Sequence, residues 1–203
     1  MTDALPRLGL ALLLLIGSAF AASPRPPPRE LQRALELTQD SVVEVLGPHR
    51  RGPGVMVGGD GRVLTSSDLV GADAGTVRVG ERELPAKVLA TNPTLKVALL
   101  AIDGAGAWRA APVRLDGALE RGAWLIGIRR NGRGAPNPVL GQVSHPARTA
   151  SPFLQASLAL GPGSPLFDPR GRLVALCIQS WADGCRAVPM LAIKDQLALA
   201  ADP

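Results

Sequence analysis

Few side chains in this sequence can do chemistry, and they lie far apart along the chain. It has two histidines, His49 and His145, and two cysteines, Cys177 and Cys185. A serine nucleophile needs a base beside it, and a zinc centre needs several nitrogen or sulfur ligands. The histidines share no ligand spacing with the cysteines, and both fall in predicted loops. We therefore expect no metal and no cofactor.

The two cysteines bound a short segment, Cys177-Ile-Gln-Ser-Trp-Ala-Asp-Gly-Cys185. In an oxidising compartment they can form a disulfide, which would stabilise the fold by roughly 2–3 kcal/mol. The alternative is a pair of buried thiols that pack as small apolar side chains. The disulfide is favoured if the chain is exported.

Export is indicated by the first residues. Arg7 precedes the apolar run Leu8–Gly17, and Ala19-Phe-Ala21 provides small residues at a cleavage position. These are the features of a secretory signal peptide. We predict a signal peptide at residues 1–21, a periplasmic or secreted mature chain, and no transmembrane span after cleavage. An uncleaved membrane anchor is the alternative.

Composition excludes several classes of protein. The chain has 203 residues, of which 46% are hydrophobic and 19% charged, so it is neither a disordered tail nor too polar for a core. The net charge of +5 comes mainly from scattered arginines. Three Trp, three Phe and no Tyr leave few rings to stack on bases, so we do not expect nucleic acid as a partner.

Residues 22–40 predict a tether followed by a helix. The segment Ser23-Pro-Arg-Pro-Pro-Pro28 is typical of extended polyproline structure, and the spacing of apolar residues predicts a short helix over 29–39. Beyond it, short runs rich in Val, Leu and Ile alternate with Gly, Pro and Asp, as in antiparallel strands. Asp60-Gly61 is a strong hairpin signal.

These runs form two groups of six. The predicted strands are 41–46, 54–58, 62–65, 76–79, 83–89 and 97–102, then 113–115, 123–128, 139–144, 153–157, 173–178 and 186–188. A closing helix is predicted at 190–200. We expect an all-β fold of two six-stranded antiparallel barrels, at 41–103 and 112–203, with a short N-terminal helix and a C-terminal helix. Trp124, on an apolar strand, is expected in the core.

Seven segments, in order along the chain, share a further pattern. They are Gly52-Pro-Gly-Val-Met-Val57, Asp60-Gly-Arg-Val-Leu-Thr-Ser-Ser-Asp-Leu-Val70, Leu84-Pro-Ala-Lys-Val-Leu-Ala-Thr-Asn-Pro93, Leu119-Glu-Arg-Gly-Ala-Trp-Leu-Ile-Gly-Ile128, Gly141-Gln-Val-Ser144, Phe153-Leu-Gln155 and Pro165-Leu-Phe…Gly171-Arg-Leu-Val-Ala175. Together they resemble the HtrA/Deg family of trypsin-like serine proteases. The resemblance implies the double barrel of chymotrypsin-like enzymes, with the active site in the cleft between the barrels.

The resemblance also implies a serine, a histidine and an aspartate that act together, and this chain departs from that pattern. The histidine position of the family's Thr-Asn-x-His-Val stretch holds Asp68. The family's Asp-Leu-Ala-Val-Leu strand begins here with Lys96. Ser164 matches the nucleophile, but its loop, Gly161-Pro-Gly-Ser-Pro-Leu, is shorter than the family's Asn-Pro-Gly-Asn-Ser-Gly-Gly-Pro-Leu.

The shortened loop also affects the oxyanion hole. The N–H of the residue two before the nucleophile is one of its donors in the family, and that residue here is Pro162, which has no N–H. Loss of one such donor costs about 10²–10³ in rate.

We therefore expect a catalytically inactive protease homologue, a pseudoprotease, that acts as an exported binding or scaffold subunit. Its partners would be proteins of the cell envelope, a membrane complex or further copies of itself. The alternative is an active but degenerate serine endopeptidase that uses Ser164, with Lys96 as base. Because Asp68 beside Lys96 would favour the charged ammonium, we expect an Asp68–Lys96 ion pair instead. The remaining possibility is two exposed side chains without contact.

Candidate interaction residues lie in loops, which carry recognition on rigid barrels. Arg129, Arg130 and Arg133 fall in one connection between strands, and a third hypothesis is that they bind an anionic partner. Trp181, at the tip of the predicted cysteine hairpin, is either an exposed anchor for a partner or packed on the second barrel.

Overall fold

The structure is a computed structural model that describes residues 23–71, 74–129 and 137–199. The predicted signal peptide at 1–21, together with Arg130 and Arg133, lies outside the described residues. None of the helices in the described ranges is long and apolar enough to cross a membrane.

A helix, α1 (Pro28–Thr38), opens the described domain. Its first position is a proline, whose fixed φ suits a helix start and whose missing N–H is not needed there. Ala34 is buried, and Leu31 and Leu35 pack beside it on the core. The helix predicted at 29–39 is confirmed within one residue at each end.

The first barrel contains six antiparallel strands. They are β1 (Val42–Leu46), β2 (Arg51–Met56), β3 (Arg62–Ser66), β4 (Ala74–Val79), β5 (Arg82–Asn92) and β6 (Val97–Ile102). The sheet closes in the order β1-β2-β3-β6-β5-β4. Gly61, in the predicted turn between β2 and β3, has a φ of 90°, a conformation that glycine adopts without strain.

The second barrel also contains six antiparallel strands. They are β7 (Trp124–Arg129), β8 (Asn137–His145), β9 (Leu154–Ala156), β10 (Pro165–Phe167), β11 (Leu173–Trp181) and β12 (Gly184–Pro189). The order around the barrel is β10-β11-β12-β9-β8-β7. A helix, α2 (Met190–Leu199), follows the last strand, as the sequence predicts.

One predicted strand of the second barrel is wrong. Residues 113–115 form no strand: Val113 makes a single bridge to Leu173, and the chain then turns away. The sixth strand is β10, in which Leu166 pairs with Gly127 on one side and Ala175 on the other. Three apolar residues are too few for periodicity to reveal a strand, and it is the pairing on both sides that makes β10 a part of the barrel.

The two barrels share one hydrophobic core. Its buried members come from both barrels, as Leu64 and Leu99 do in the first and Phe167 and Leu176 in the second, and α2 adds Ile193. A separate apolar cluster fills the interior of each barrel. This shared core holds the barrels together and positions the loops between them.

The N-terminal tether is docked on the second barrel. The indole N–H of Trp124 donates to the carbonyl of Ser23 over 2.9 Å, and Pro26 is buried. The expectation that Trp124 is a core residue is therefore wrong: its ring is half-buried, because its polar edge binds the tether.

Candidate functional site

Asp68 and Lys96 come together where two strands of the first barrel meet. Residues 67–69 form a single 3-10 turn after β3, and the hydroxyl of Ser66 accepts the N–H of Asp68 over 3.3 Å. Lys96 closes the turn between β5 and β6, and its carbonyl accepts the N–H of Ser67 over 3.1 Å. The ammonium of Lys96 lies 3.7 Å from a carboxylate oxygen of Asp68. The ion pair expected from the sequence is present, and since its side chains are 49% and 42% exposed, solvent screens it.

The backbone of Lys96 is strained. Its φ is 56°, and within the described ranges it is the only residue other than glycine with a positive φ. An L-residue in this region costs roughly 1–2 kcal/mol. The turn is held from both sides, because the side chain of Asn92 accepts the N–H of Leu95 over 3.0 Å and Ser67 binds the carbonyl of Lys96.

Ser164 lies at the end of a tight turn that precedes β10. The side chain is 1% exposed. The N–H of Ser164 donates to the carbonyl of Gly161 over 3.1 Å, and the N–H of Gly163 donates to the carbonyl of Cys177 over 2.7 Å. Pro162 has no N–H to offer. The N–H groups of Gly163 and Ser164 are therefore both bound to carbonyls, and neither is free to bind an oxyanion.

This turn presses against the first barrel. Gly163 has a φ of 89°, and it lies against Leu69 and the hydroxyl of Thr65, which flank the Asp68 segment. The same hydroxyl donates to the carbonyl of Pro53 over 2.8 Å. The structure thus brings the serine turn next to the segment that carries Asp68, and at this point the two barrels are in direct contact.

Cys177 holds the serine turn from the other side. Its N–H donates to the carbonyl of Ser164 over 2.8 Å, and its thiol donates to the carbonyl of Leu160 over 3.0 Å. Its carbonyl accepts the N–H of Gly163, so the N–H, the carbonyl and the thiol of Cys177 all bind residues 160–164. The sequence contains no signal for this role; it appears only because β11 passes beneath the turn.

The cysteines are fully buried thiols on neighbouring strands, β11 and β12. A hydrogen bond to Cys185, and then burial, raises the pKa of the Cys177 thiol far above its ordinary value. The two cysteines are free thiols in this structure, and the disulfide stays a prediction.

The histidines are placed away from this chemistry. His49 lies in the loop between β1 and β2, and His145 is the last residue of β8. Within the described part of the chain, neither ring forms a hydrogen bond with Ser164. In the same ranges, no group of three or more His, Cys, Asp or Glu side chains is arranged to hold a metal ion.

Two of the candidate interaction residues can be placed. The guanidinium of Arg129 donates to the carbonyl of Ala159 over 2.7 Å, so it braces β7 against the segment before the serine turn. Trp181 is 40% exposed and lies over Gly184 on the opposite strand. Its role in binding stays a prediction, as does that of Arg129.

Two closed barrels, with a serine turn where they meet, define a trypsin-like fold. Residues 52–176 match the family described as trypsin-like peptidase domain, and the chain belongs to that family as an HtrA/Deg-like member.

Curated relatives agree with this placement. A Pseudomonas putida protein named "Probable periplasmic serine endoprotease DegP-like" is 34% identical over 142 residues, which cover 62% of this chain and 28% of that protein. An Ectopseudomonas mendocina protein of the same name has the same identity over the same length, with the same coverage of each chain. This chain spans little more than a quarter of the length of these relatives.

A solved structure shares the fold. The crystal structure of the serine endoprotease from Yersinia pestis superposes with a TM-score of 0.73 at 23% sequence identity. The match covers 88% of this chain and 69% of that one. At this level of identity the likeness shows the fold.

Proposed function

We propose that this chain is a catalytically inactive trypsin-like protease homologue that acts as an exported binding or scaffold subunit. The observation that carries the proposal is the hydrogen bonding of the serine turn. Acyl transfer needs backbone donors aimed at the developing oxyanion. Here the N–H groups of Gly163 and Ser164 are bound to carbonyls of the protein, and Pro162 supplies none.

The residues beside the turn support the same conclusion. The family pattern requires a histidine to take the proton of the serine and an aspartate to orient it. At the matching positions this chain has Asp68 and Lys96, which pair with each other. A carboxylate and an ammonium in an ion pair neutralise one another's charge, and neither is bound to Ser164.

We place the protein in the periplasm, or outside the cell. The relatives are named as periplasmic proteins, and the first 21 residues have the pattern of a cleaved signal peptide. Its partners would be proteins of the cell envelope or further copies of the chain. Trp181, 40% exposed at the end of β11, is a suitable anchor for such a partner.

A second candidate function is a degenerate endopeptidase that uses Ser164. One observation favours it: in the described ranges the hydroxyl of Ser164 forms no hydrogen bond, so it is not committed to a structural partner. The burial of Ser164 argues against the endopeptidase. A peptide carbonyl could reach the Ser164 hydroxyl only if the serine turn moved away from the first barrel.

The test is covalent labelling of the mature protein with a fluorophosphonate probe, together with turnover of a fluorescent casein substrate. An active trypsin-like protease serves as the positive control, and Ser164→Ala as the matched negative one. We expect no labelling and no turnover above the Ser164→Ala background. A labelled band that disappears in Ser164→Ala would establish the endopeptidase instead.

The binding role needs its own experiment. Tagged mature protein would be purified from native envelopes after photo-crosslinking. Trp181→Ala is the variant, and Arg51→Gln, at an exposed position of the first barrel, is the control. We expect a defined protein complex that is weakened by Trp181→Ala alone. A chain that stays monomeric and uncrosslinked would contradict the scaffold proposal.

A further inference from the structure

A cavity of about 420 Å³ opens on the second barrel, beside the apolar cluster in its interior. Its wall is mainly apolar and includes Leu119, Ala147, Val174, Pro189 and Leu191. Leu191 is 45% exposed, so the apolar surface continues to the rim. The cavity shares no lining residue with the serine turn or with the Asp68–Lys96 pair, and its volume is in the usual range for small-molecule sites.

Arg114 is one of the polar residues of the wall. Its side chain is 22% exposed, and its Nε donates to the carbonyl of Asp116 over 2.9 Å. The turn lies directly over the guanidinium: Gly117 has a φ of 70°, and a Cβ there would be 2.8 Å from Nη2. Among the described residues, no acceptor binds the two Nη groups of Arg114.

The two Nη groups are therefore available to a ligand that enters the cavity. The fork of a guanidinium matches a carboxylate, which can accept from both Nη groups at once. A second guanidinium, that of Arg148, also lines the cavity. The carboxylate of Asp116 also lines the cavity and lies 3.5 Å from Nε of Arg114, but it is 82% exposed, so solvent screens this ion pair. Two guanidiniums against one carboxylate leave the lining with a net positive charge, which favours an anion.

The closed barrels and the apolar wall indicate which kind of group would accompany the anion in the cavity. Both barrels are closed, so in the described strands no free sheet edge is available to pair with a peptide backbone. An aliphatic chain needs no such partners and gains free energy from an apolar wall. We propose that this cavity binds a single-chain aliphatic carboxylate, with the chain against Leu119 and Val174 and the carboxylate on Arg114.

This inference is independent of the proposed function, and calorimetry of the mature protein tests it. Hexanoate, octanoate and decanoate are the probes, and decyltrimethylammonium carries the same chain with the opposite charge. We expect one site per chain, with an affinity that rises about fourfold for each added methylene. The cation should not bind measurably.

Two variants locate the site. Arg114→Gln should weaken decanoate binding by about tenfold or more, because it removes a charge-assisted pair of hydrogen bonds. Ala192→Trp places a large ring in the cavity from an exposed position of α2, so it should block binding even if the arginine variant is unstable. Arg51→Gln, at an exposed position on β2 of the first barrel, should leave binding unchanged.

Three outcomes would overturn the proposal. The first is the absence of saturable decanoate binding, or binding that neither Arg114→Gln nor Ala192→Trp alters. The second is equal binding of decyltrimethylammonium, which would show a merely apolar surface. The third is tighter binding of the peptide Ala-Leu-Leu with a free terminal carboxylate, which would assign the cavity to a polypeptide end.

Discussion

Gly163 of the second barrel faces the carbonyl oxygen of Pro53 in the first, so closely that a Cβ on the glycine would lie 2.1 Å from that oxygen. The contact joins the serine turn to β2 and leaves no room for any side chain between them. A trypsin-like enzyme binds the reacting part of its substrate beside its nucleophile. In this chain the residue before Ser164 is packed against the first barrel.

Gly163→Ala should therefore destabilise the protein strongly. The substitution places a methyl group against backbone and also forces an L-residue to a φ of 89°. We expect the free energy of unfolding to fall by at least about 2 kcal/mol, measured by urea denaturation. Gly161→Ala is the matched control, because nothing lies within 4 Å of its Cβ position, and should change stability by less than about 0.5 kcal/mol. Equal stability of the two variants would contradict the close contact between Gly163 and the carbonyl of Pro53.

The buried thiol of Cys177 predicts a pH dependence for the reduced protein. Its pKa is raised in the folded state, so on raising the pH the unfolded chain loses the proton first. Stability should be fully present below about pH 8.5 and fall above it by about 1.4 kcal/mol per pH unit. Urea titrations with a reductant at several pH values measure this. Cys177→Ala should remove the dependence, and an unchanged slope in that variant would assign it to another group.

Export should convert the two thiols into a disulfide. Cys177 and Cys185 lie on adjacent paired strands in one buried cluster, and an oxidising compartment favours their oxidation. Protein isolated from the envelope and alkylated while denatured should show no modified cysteine by intact mass. The same protein treated first with a reductant should show two. Alkylation of both cysteines without reduction would show that the pair functions as thiols.

The strain at Lys96 predicts that Lys96→Gly is more stable than Lys96→Ala. Both variants lose the ion pair with Asp68, which is about half-exposed and contributes less than about 1 kcal/mol. Glycine adopts a φ of 56° without cost, whereas alanine keeps the strain, so a difference of about 1 kcal/mol is expected in thermal or urea unfolding. Equal stabilities would show that the turn relaxes when Lys96 is replaced.

Restoring the family residues should not restore catalysis. The double variant Asp68→His with Lys96→Asp supplies a base and an orienting carboxylate, yet the N–H groups of Gly163 and Ser164 remain bound to carbonyls. We expect casein turnover no higher than that of the Ser164→Ala protein. Turnover that depends on Ser164 in the double variant would mean that the turn opens to form an oxyanion hole.

The strand pattern was readable from local chemistry. β6 is a run of six apolar residues, and the Asp60-Gly61 turn separates β2 from β3, so both appear in the sequence at their observed places. The strand β10 cannot be predicted from the sequence, because three residues are too few to show an alternating pattern. It is a strand because β7 and β11 pair with it. The position of Trp124 is not predictable from its strand for a similar reason: its hydrogen-bond partner, Ser23, is distant in the chain.

Residue identities alone show that Asp68 stands at the family's histidine position and that Pro162 has no N–H. Whether the N–H groups of Gly163 and Ser164 are free or bound is decided by the tertiary structure. Cys177 reaches the serine turn only when β11 passes beside it, and Pro53 meets Gly163 only when the two barrels dock. Hydrogen bonds and close contacts between residues remote in sequence arise from packing, and no local pattern encodes them.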